Sequence, residues 1–284
     1  MTDADRDPAG PPARDADRRA AADLLALRDP LADLASAAGR AILAVYREDF
    51  AVRLKDDATP VTEADVRSQE VLAAGLERLW PGVPLLAEEG APVPYAERRR
   101  WARLWCVDPL DGTRDFVARS GEFSVNIGLV EHGRPVLGLI HAPVKAVTYV
   151  GAPGRGAWRR EGDGGWRPVR VAAPEGRRLR VLASRQHAGP RTRAWLRVLA
   201  RDWEVEVLHH GSALKVCLVA DGTAHLYPRL GPTHEWDTAA GQAIVEGAGG
   251  VLCRAGGREP LRYNKPDLRN PDLYAAWGPD APHP

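Results

Sequence analysis

The chain has 284 residues, 44% of them apolar, enough to build one large domain or two fused ones around a sizeable core. Lys plus Arg number 39 and Asp plus Glu 38, a net charge of +1, so neither nucleic acid nor a membrane surface is implied as a bulk electrostatic partner. The 3 cysteines, Cys106, Cys217 and Cys253, lie in apolar segments without a CxxC pair, which excludes a disulfide frame and a zinc site and points to a reducing, cytoplasmic compartment.

No apolar run approaches the length of a membrane span. Met1 to Arg19 is rich in Asp, Ala, Arg and Pro and lacks the apolar core of a signal peptide, so residues 1–28 read as a disordered tail, with a further helical turn or two within 18–27. Asp29-Pro30 is a good helix start, with Asp as N-cap and Pro in the first turn. Leu31, Leu34, Ala35, Ala38, Ile42, Val45 and Tyr46 share one helical face, predicting an amphipathic helix to about Arg47. Phe50 to Lys55 is a candidate strand and residues 56–60 a loop. Thr62 and Asp65 then form a variant capping box opening a helix that runs to about Leu79 and stops before Pro81-Gly82. Asp65 is either a cap partner or a carboxylate aimed from the helix start into a site. Val83 to Ala87 is a short strand that delivers Glu88 and Glu89. Neighbours at a strand end face opposite sides, and Glu88 is the one expected to reach a shared site.

Leu104 to Val107 is a buried strand that should end at Pro109, which has no N–H for a ladder. Asp108 and Asp111 flank that proline, and a turn at Asp111-Gly112-Thr113 leads into a helix start. Such a turn sends both carboxylates one way and leaves backbone N–H groups where phosphate binds well. Asp-Gly is also a common turn and Asp a common cap, so the rest of the chain must decide. Phe123 to Glu131 and Pro135 to Ala142 form a hairpin through His132-Gly133-Arg134, and Val147 to Val150 and Gly156 to Arg159 continue the sheet. A flexible loop at Glu161 to Gly165 marks the change of lobe. Residues 29–160 are expected to form an N-terminal α+β lobe and residues 161–284 a C-terminal α/β lobe.

In that second lobe, Leu179 to Ala183 is a strand, Pro190 to Ala200 a helix and Val205 to Leu208 a strand. Gly211-Ser212 begins a helix over Ala213 to Ala220, whose start offers Ser212 and free N–H groups to an anion. Ala224 to Tyr227 is a strand ending in Pro228-Arg229. Glu235-Trp236-Asp237 opens a helix of small residues, Thr238 to Ala248, which Gly249-Gly250 ends. Val251 to Arg254 is the last strand expected.

The candidate ligands are all oxygens: Glu88, Asp108, Asp111, Asp237 and the Leu110 carbonyl. Hard oxygen donors select Mg²⁺, or Mn²⁺ as a substitute, over zinc. Converging carboxylates without a salt partner repel one another, and a divalent cation is the simplest stabiliser of such a cluster.

Eight motifs in order then carry a resemblance. They are Thr59-Pro-Val-Thr-Glu-Ala-Asp65, Leu86-Ala-Glu-Glu89, Val107-Asp-Pro-Leu-Asp-Gly-Thr-Arg-Asp-Phe116, Gly121-Glu-Phe-Ser-Val-Asn-Ile127, Gly211-Ser-Ala-Leu-Lys215, Tyr227-Pro-Arg229, Gly231-Pro-Thr233 and Trp236-Asp-Thr-Ala-Ala-Gly241. Over about residues 30–275 the chain resembles the magnesium-dependent, lithium-sensitive phosphatase superfamily of inositol monophosphatases. Within it, the chain looks most like the CysQ-type 3'(2'),5'-bisphosphate nucleotidases. The resemblance implies a layered α/β/α/β/α sandwich with the site between the lobes. It makes Glu88, Asp108, the Leu110 carbonyl, Asp111 and Asp237 metal ligands, and Asp65 and Thr113 the pair that orients and deprotonates the attacking water. Gly112 and Thr113 become the backbone cradle of the scissile phosphate, which Glu88, Asp111 and Asp237 also meet. His187, Ser212, Lys215 and Arg229 become substrate-side residues.

The substrate follows from charge. Inositol monophosphatases usually carry an acidic residue near the position of Arg229, whereas here Lys215 and Arg229 suit a second phosphate. Ala213 departs from the commonest nucleotidase pattern, which has Ser there. The implied reaction is hydrolysis of adenosine 3',5'-bisphosphate, and of its sulfated analogue, to release phosphate. An inositol or sugar phosphatase on the same fold is the first alternative. A non-catalytic nucleotide-binding descendant is the second, against which the intact set Asp65, Glu88, Asp108, Asp111, Thr113 and Asp237 argues. The implied partner is a small nucleotide bisphosphate, not a nucleic acid. The resemblance leaves open a monomer or homodimer, and a cytoplasmic enzyme either free or peripheral on the inner membrane.

Overall fold

The computed structural model describes residues 24–54, 60–184 and 189–284. Most of the expected tail, and the loop before Pro60, lie outside these residues. The tail boundary nevertheless moves: Leu24–Leu27 form a 3-10 turn that runs into helix α1, Arg28–Tyr46. Asp29 is not its N-cap. Leu27 holds that position without a side-chain bond, and the Asp29 carboxylate instead accepts the Trp166 indole N–H at 2.6 Å. A partner so distant in sequence outcompetes the local backbone.

The elements then follow in order. Strands β1, Val52–Leu54, and β2, Pro60–Thr62, form a small antiparallel pair. Helix α2 spans Glu63–Leu79, strand β3 Leu85–Ala87, the short helix α3 Tyr95–Arg98, strand β4 Arg103–Asp111 and the single turn α4 Thr113–Val117. Strands β5 (Ser124–Glu131), β6 (Arg134–Ala142), β7 (Val147–Ala152), β8 (Gly156–Glu161) and β9 (Arg167–Val169) make an antiparallel meander. Next come β10 (Arg178–Ser184), α5 (Pro190–Leu199), β11 (Glu204–His210), α6 (Leu214–Ala220) and β12 (Leu226–Arg229). Helix α7 (Glu235–Gly247), β13 (Val251–Arg254) and β14 (Leu273–Ala276) complete the fold.

Among the described residues the two large sheets are a seven-stranded one ordered β3-β4-β5-β6-β7-β8-β9 and a five-stranded one ordered β11-β10-β12-β14-β13. In the first, only β3 and β4 are parallel. In the second, β10 is parallel to β11 and β12, and β14 enters antiparallel between β12 and β13. Strand β14 is absent from the sequence reading. Leu-Tyr-Ala-Ala has no period of its own, and only burial of all four residues makes it a strand. Sheet membership also carries the first unit as far as Val169, later than the expected change at residue 160.

Period-2 burial on both sheet faces builds the layers. Trp105 and Val107 pack with α1 and α2, whereas Leu104 and Cys106 pack with α6 and α7. Leu182, Leu252 and Ala275 of the second sheet join that inner core. Val181, Leu226 and Tyr274 face outward toward Leu199 and Trp195 of α5. The result is the expected α/β/α/β/α sandwich, with α6 and α7 between the sheets.

One detail places α7 deep. Gly128 of β5 pairs with Gly138 of β6, and Gly138 with Gly151 of β7, so three glycines form a row across three strands. A Cβ on Gly128 would lie 2.8 Å from the Ala239 Cβ, and one on Gly151 2.6 Å from the Ile244 Cα. A Cβ on Gly138 would run into the Ala240 carbonyl. The row is a track for the backbone of α7, and the small residues Ala239, Ala240 and Ala243 complete the fit. Because Asp237 sits in the first turn of α7, the track fixes its height over β4 and β5.

Gly138→Ala should therefore cost about 1–3 kcal/mol by overpacking. Gly165→Ala, in an exposed loop with nothing near its Cβ, should fall within about 0.5 kcal/mol of the unchanged chain. Urea unfolding of the two variants checks the difference.

Candidate metal centre and active site

Strand β4 carries the centre of the site. It runs through Pro109 rather than ending there, because its register with β5 shifts between Asp108 and Asp111. The bulge accommodates the missing proline N–H and aims Asp108 and Asp111 into the cleft between the lobes. The Pro109 carbonyl accepts the Ser68 hydroxyl at 2.7 Å, tying the bulge to α2. Asp108 folds back to accept the Leu110 amide at 3.0 Å. Gly112 then turns left-handed, φ 93°, which a side chain would strain, and packs against the Glu122 carbonyl and Ser212.

Glu88, Asp108 and Asp237 present carboxylate oxygens that all lie within 4.8 Å of one another. They come from the end of β3, from β4 and from the first turn of α7. Their proton affinities record the crowding. Burial, then Glu88, Asp111 and Asp237, push Asp108 well above the ordinary carboxylate range. Burial and then Asp111 push Asp237 up to about 8, despite the amide of His234 at 2.8 Å. Three hard oxygen donors at this spacing fit a divalent cation, with the Leu110 carbonyl also lining the cleft.

Asp111 differs from the three. One of its oxygens accepts the Ala213 amide of the opposite lobe. Its pKa is raised by burial, but Lys215 and that amide pull it back down. It joins the cluster electrostatically while bridging the cleft.

Asp65 is buried, 2% exposed, at the start of α2. Its Oδ2 accepts the Thr62 amide and hydroxyl, each at 2.7 Å, which is the expected capping box. That leaves Oδ1 directed at the Thr113 hydroxyl, 3.3 Å away, which is equally 3.3 Å from the Leu110 carbonyl. The cap and the site roles of Asp65 therefore coexist, one on each oxygen. Burial raises its pKa. Glu89 acts on Asp65 electrostatically and stays out of the three-carboxylate group.

Across the cleft, of about 960 Å³, lie Ser212, Lys215 and Arg229. Lys215 is buried and donates to the Ser212 carbonyl at 2.6 Å; burial lowers its pKa to about 8 against the pull of Asp111. Arg229 donates to the Pro232 carbonyl at 3.0 Å, and its buried Nε makes no hydrogen bond. The amides at the start of α6 are not open to an anion as expected. Glu122 takes Gly211 N–H at 2.8 Å, Asp111 takes that of Ala213, and the Ser212 hydroxyl takes that of Leu214 at 3.3 Å. Long-range carboxylates fill the cradle, which no local pattern announces. His187 lies outside the described residues, although Ser184 and Gly189 on either side of the gap line the cleft. Sequence reasoning gives His234 a structural or surface role and assigns none to Trp236, yet the two stack at 4.9 Å on the cleft wall; it also leaves out the rim cations Arg193 and Arg269. The stacked pair lies immediately before Asp237 in sequence, and that was the available signal.

The model of the inositol monophosphatase family matches residues 23–281. The 3'(2'),5'-bisphosphate nucleotidase CysQ of Escherichia coli (strain K12) is 44% identical over 238 residues, covering 83% of this chain and 93% of that protein. The CysQ nucleotidase of Aggregatibacter actinomycetemcomitans is 37% identical over 255 residues, 88% of this chain and 92% of that one. Among solved structures, CysQ from Bacteroides thetaiotaomicron superposes with a TM-score of 0.78 at 40% identity, covering 88% of this chain and 97% of that one.

The raised carboxylates make a signed prediction. The cation-free folded chain holds protons that the unfolded chain releases, so its stability falls as pH climbs from about 4 toward the folded value of about 8 for Asp237. A cation must displace those protons, so its stabilisation grows with pH. At one fixed Mn²⁺ concentration the Tm gain should be larger at about pH 8.5 than at about pH 6, because Kd tightens as the protons leave; a concentration a hundredfold above Kd stabilises by about 2.7 kcal/mol. Asp237→Asn should shrink that gain and raise the cation-free Tm at the higher pH. Thermal unfolding with and without Mn²⁺ checks both.

Proposed function

Because the chain belongs to the inositol monophosphatase family, we propose that it is a divalent-cation-dependent 3'(2'),5'-bisphosphate nucleotidase. Its reaction is hydrolysis of the 3'-phosphate of adenosine 3',5'-bisphosphate, giving AMP and phosphate, with the sulfated analogue as a second substrate. The observation that carries this reading is the pairing across one cleft of a carboxylate cluster with Lys215 and Arg229. The cluster suits a cation-neutralised scissile phosphate. The two cations, both lining the cleft, suit a second anion. Relatives named as nucleotidases support the same choice.

Glu88, Asp108, Asp237 and the Leu110 carbonyl would hold Mg²⁺, with Asp111 completing the charge, and Mn²⁺ could substitute. Once bound, the cation neutralises and polarises the phosphate. The chain's own groups do the rest. Gly112 and Thr113 line the place where the phosphate sits. Thr113 gives its hydroxyl hydrogen to Asp65 Oδ1, which frees a lone pair to take a proton from the attacking water. Asp65 is held by Thr62 so that only this oxygen faces the site, and its burial makes it a better base than a solvated carboxylate. Positioning and charge neutralisation are most of what phosphoryl transfer requires. Sensitivity to Li⁺ belongs to the same reading. The three free, buried cysteines suit a cytoplasmic setting. No helix among the described residues is long and apolar enough to cross a membrane.

Phosphate release from adenosine 3',5'-bisphosphate, an inositol monophosphate and fructose bisphosphate, each with Mg²⁺, should favour the first. Arg229→Ala should lower kcat/KM for the adenosine bisphosphate by roughly tenfold to a hundredfold, a charge-assisted hydrogen bond being lost. For a monophosphate the same variant should change little. Equal losses on both substrates, or a preference for the inositol phosphate, would overturn the substrate assignment.

A further inference from the structure

Glu122 has no part in the chemistry above, yet its carboxylate is buried at the junction of the lobes, 6% exposed. It lies between α4 and β5, in the first lobe. Its Oε2 accepts Gly211 N–H of the second lobe at 2.8 Å. Its Oε1 lies 3.4 Å from His210 Nδ1 and 3.6 Å from Lys145 Nζ. The two backbones meet so closely that a Cβ on Gly211 would sit 2.7 Å from the Glu122 carbonyl oxygen. The next residue, Ser212, is left-handed at φ 49°, a conformation that needs external support outside glycine. Ala213 is fastened by Asp111. Two first-lobe carboxylates thus hold a strained second-lobe turn, one on each side of Ser212. Burying a carboxylate is costly unless donors repay it, and here one of those donors is a single amide across the lobe junction.

What the turn carries gives the tie its meaning. The Ser212 carbonyl accepts Lys215 Nζ at 2.6 Å, so a shift of Ser212 moves Lys215 with it. The phosphate cradle at Gly112 and Thr113 is held by the β4 bulge and α4 and meets Glu122 only at its backbone carbonyl, not at its carboxylate. Resting on the nucleotidase reading, we propose that Glu122 is a positioning residue that sets the distance between the scissile-phosphate cradle and the second-anion subsite. Its carboxylate acts through Gly211 and Ser212 on Lys215, and it does not touch substrate. Its effect is therefore confined to substrates that occupy both subsites.

The test compares the full chain with Glu122→Ala and Glu122→Gln on adenosine 3',5'-bisphosphate and on p-nitrophenyl phosphate, alongside amide hydrogen exchange. The alanine variant should raise KM for the bisphosphate about tenfold, as loss of a hydrogen bond to a charged group implies. Its kcat/KM for p-nitrophenyl phosphate should stay within about twofold. Glutamine, which still accepts Gly211 N–H, should restore most of the bisphosphate KM. Exchange should quicken at Gly211 to Lys215 and stay unchanged in β5 and α7. Should the alanine variant fail to fold, Glu122→Asp, too short to reach Gly211, carries the same test. Equal losses on both substrates, no rescue by glutamine, or unchanged exchange would overturn the role given to Glu122. A wild-type chain indifferent to the second phosphate would instead overturn the nucleotidase reading, whatever the exchange shows.

Discussion

Mutual repulsion among buried carboxylates is the constraint on which the cleft depends. Glu88, Asp108 and Asp237 bring their oxygens within 4.8 Å, and Asp111 adds its charge from the same strand. Left ionised and unpaired, such a group would push the lobes apart. The cation-free chain answers by holding protons, as the raised values of Asp108 and Asp237 record. A divalent cation answers by neutralising charge, and the all-oxygen donor set suits that answer.

The fold works to keep these charges in place. The glycine row across β5, β6 and β7 lets α7 descend onto the sheet, and the Asp237 carboxylate arrives where β4 has already put Asp108. At the start of α7, Glu235 is fully buried and accepts the amide of Lys265 at 3.0 Å as well as that of Asn264. Asn270 fastens His234 and Thr238. The helix that delivers a charge to the cluster is thus clamped on both sides. The opposite lobe is joined at the turn 211–213 through Asp111 and Glu122, so Lys215, bonded to the Ser212 carbonyl, is referenced to the lobe that carries most of the carboxylates. Catalytic geometry and lobe packing are in this sense one problem with one set of bonds.

Much of this was legible in the sequence where local patterns decide. The apolar face of α1, the capping box of α2, the hairpin at His132-Gly133 and the small-residue helix α7 each carry a period or a turn signal of their own. The acidic residues near strand ends gave the cluster. What escaped was decided at long range. Asp29 leaves its cap for an indole 137 residues away. The amides at 211 and 213 are taken by carboxylates 89 and 102 residues away, so a helix start that looks open to phosphate is closed. Pro109 should end a strand by local rules, and a bulge pairing Asp111 with Ser124 lets the strand go on. Strand β14 exists because the gap between β12 and β13 buries it, not because its residues prefer to extend.

The most direct measurement of the central claim is anomalous diffraction at the manganese edge from crystals of the full chain grown with Mn²⁺. The account predicts a peak coordinated by Glu88, Asp108 and Asp237, with the Leu110 carbonyl turned toward it. An empty cluster in a folded chain that binds Mn²⁺ elsewhere, its carboxylates protonated and bonded to one another, would contradict it.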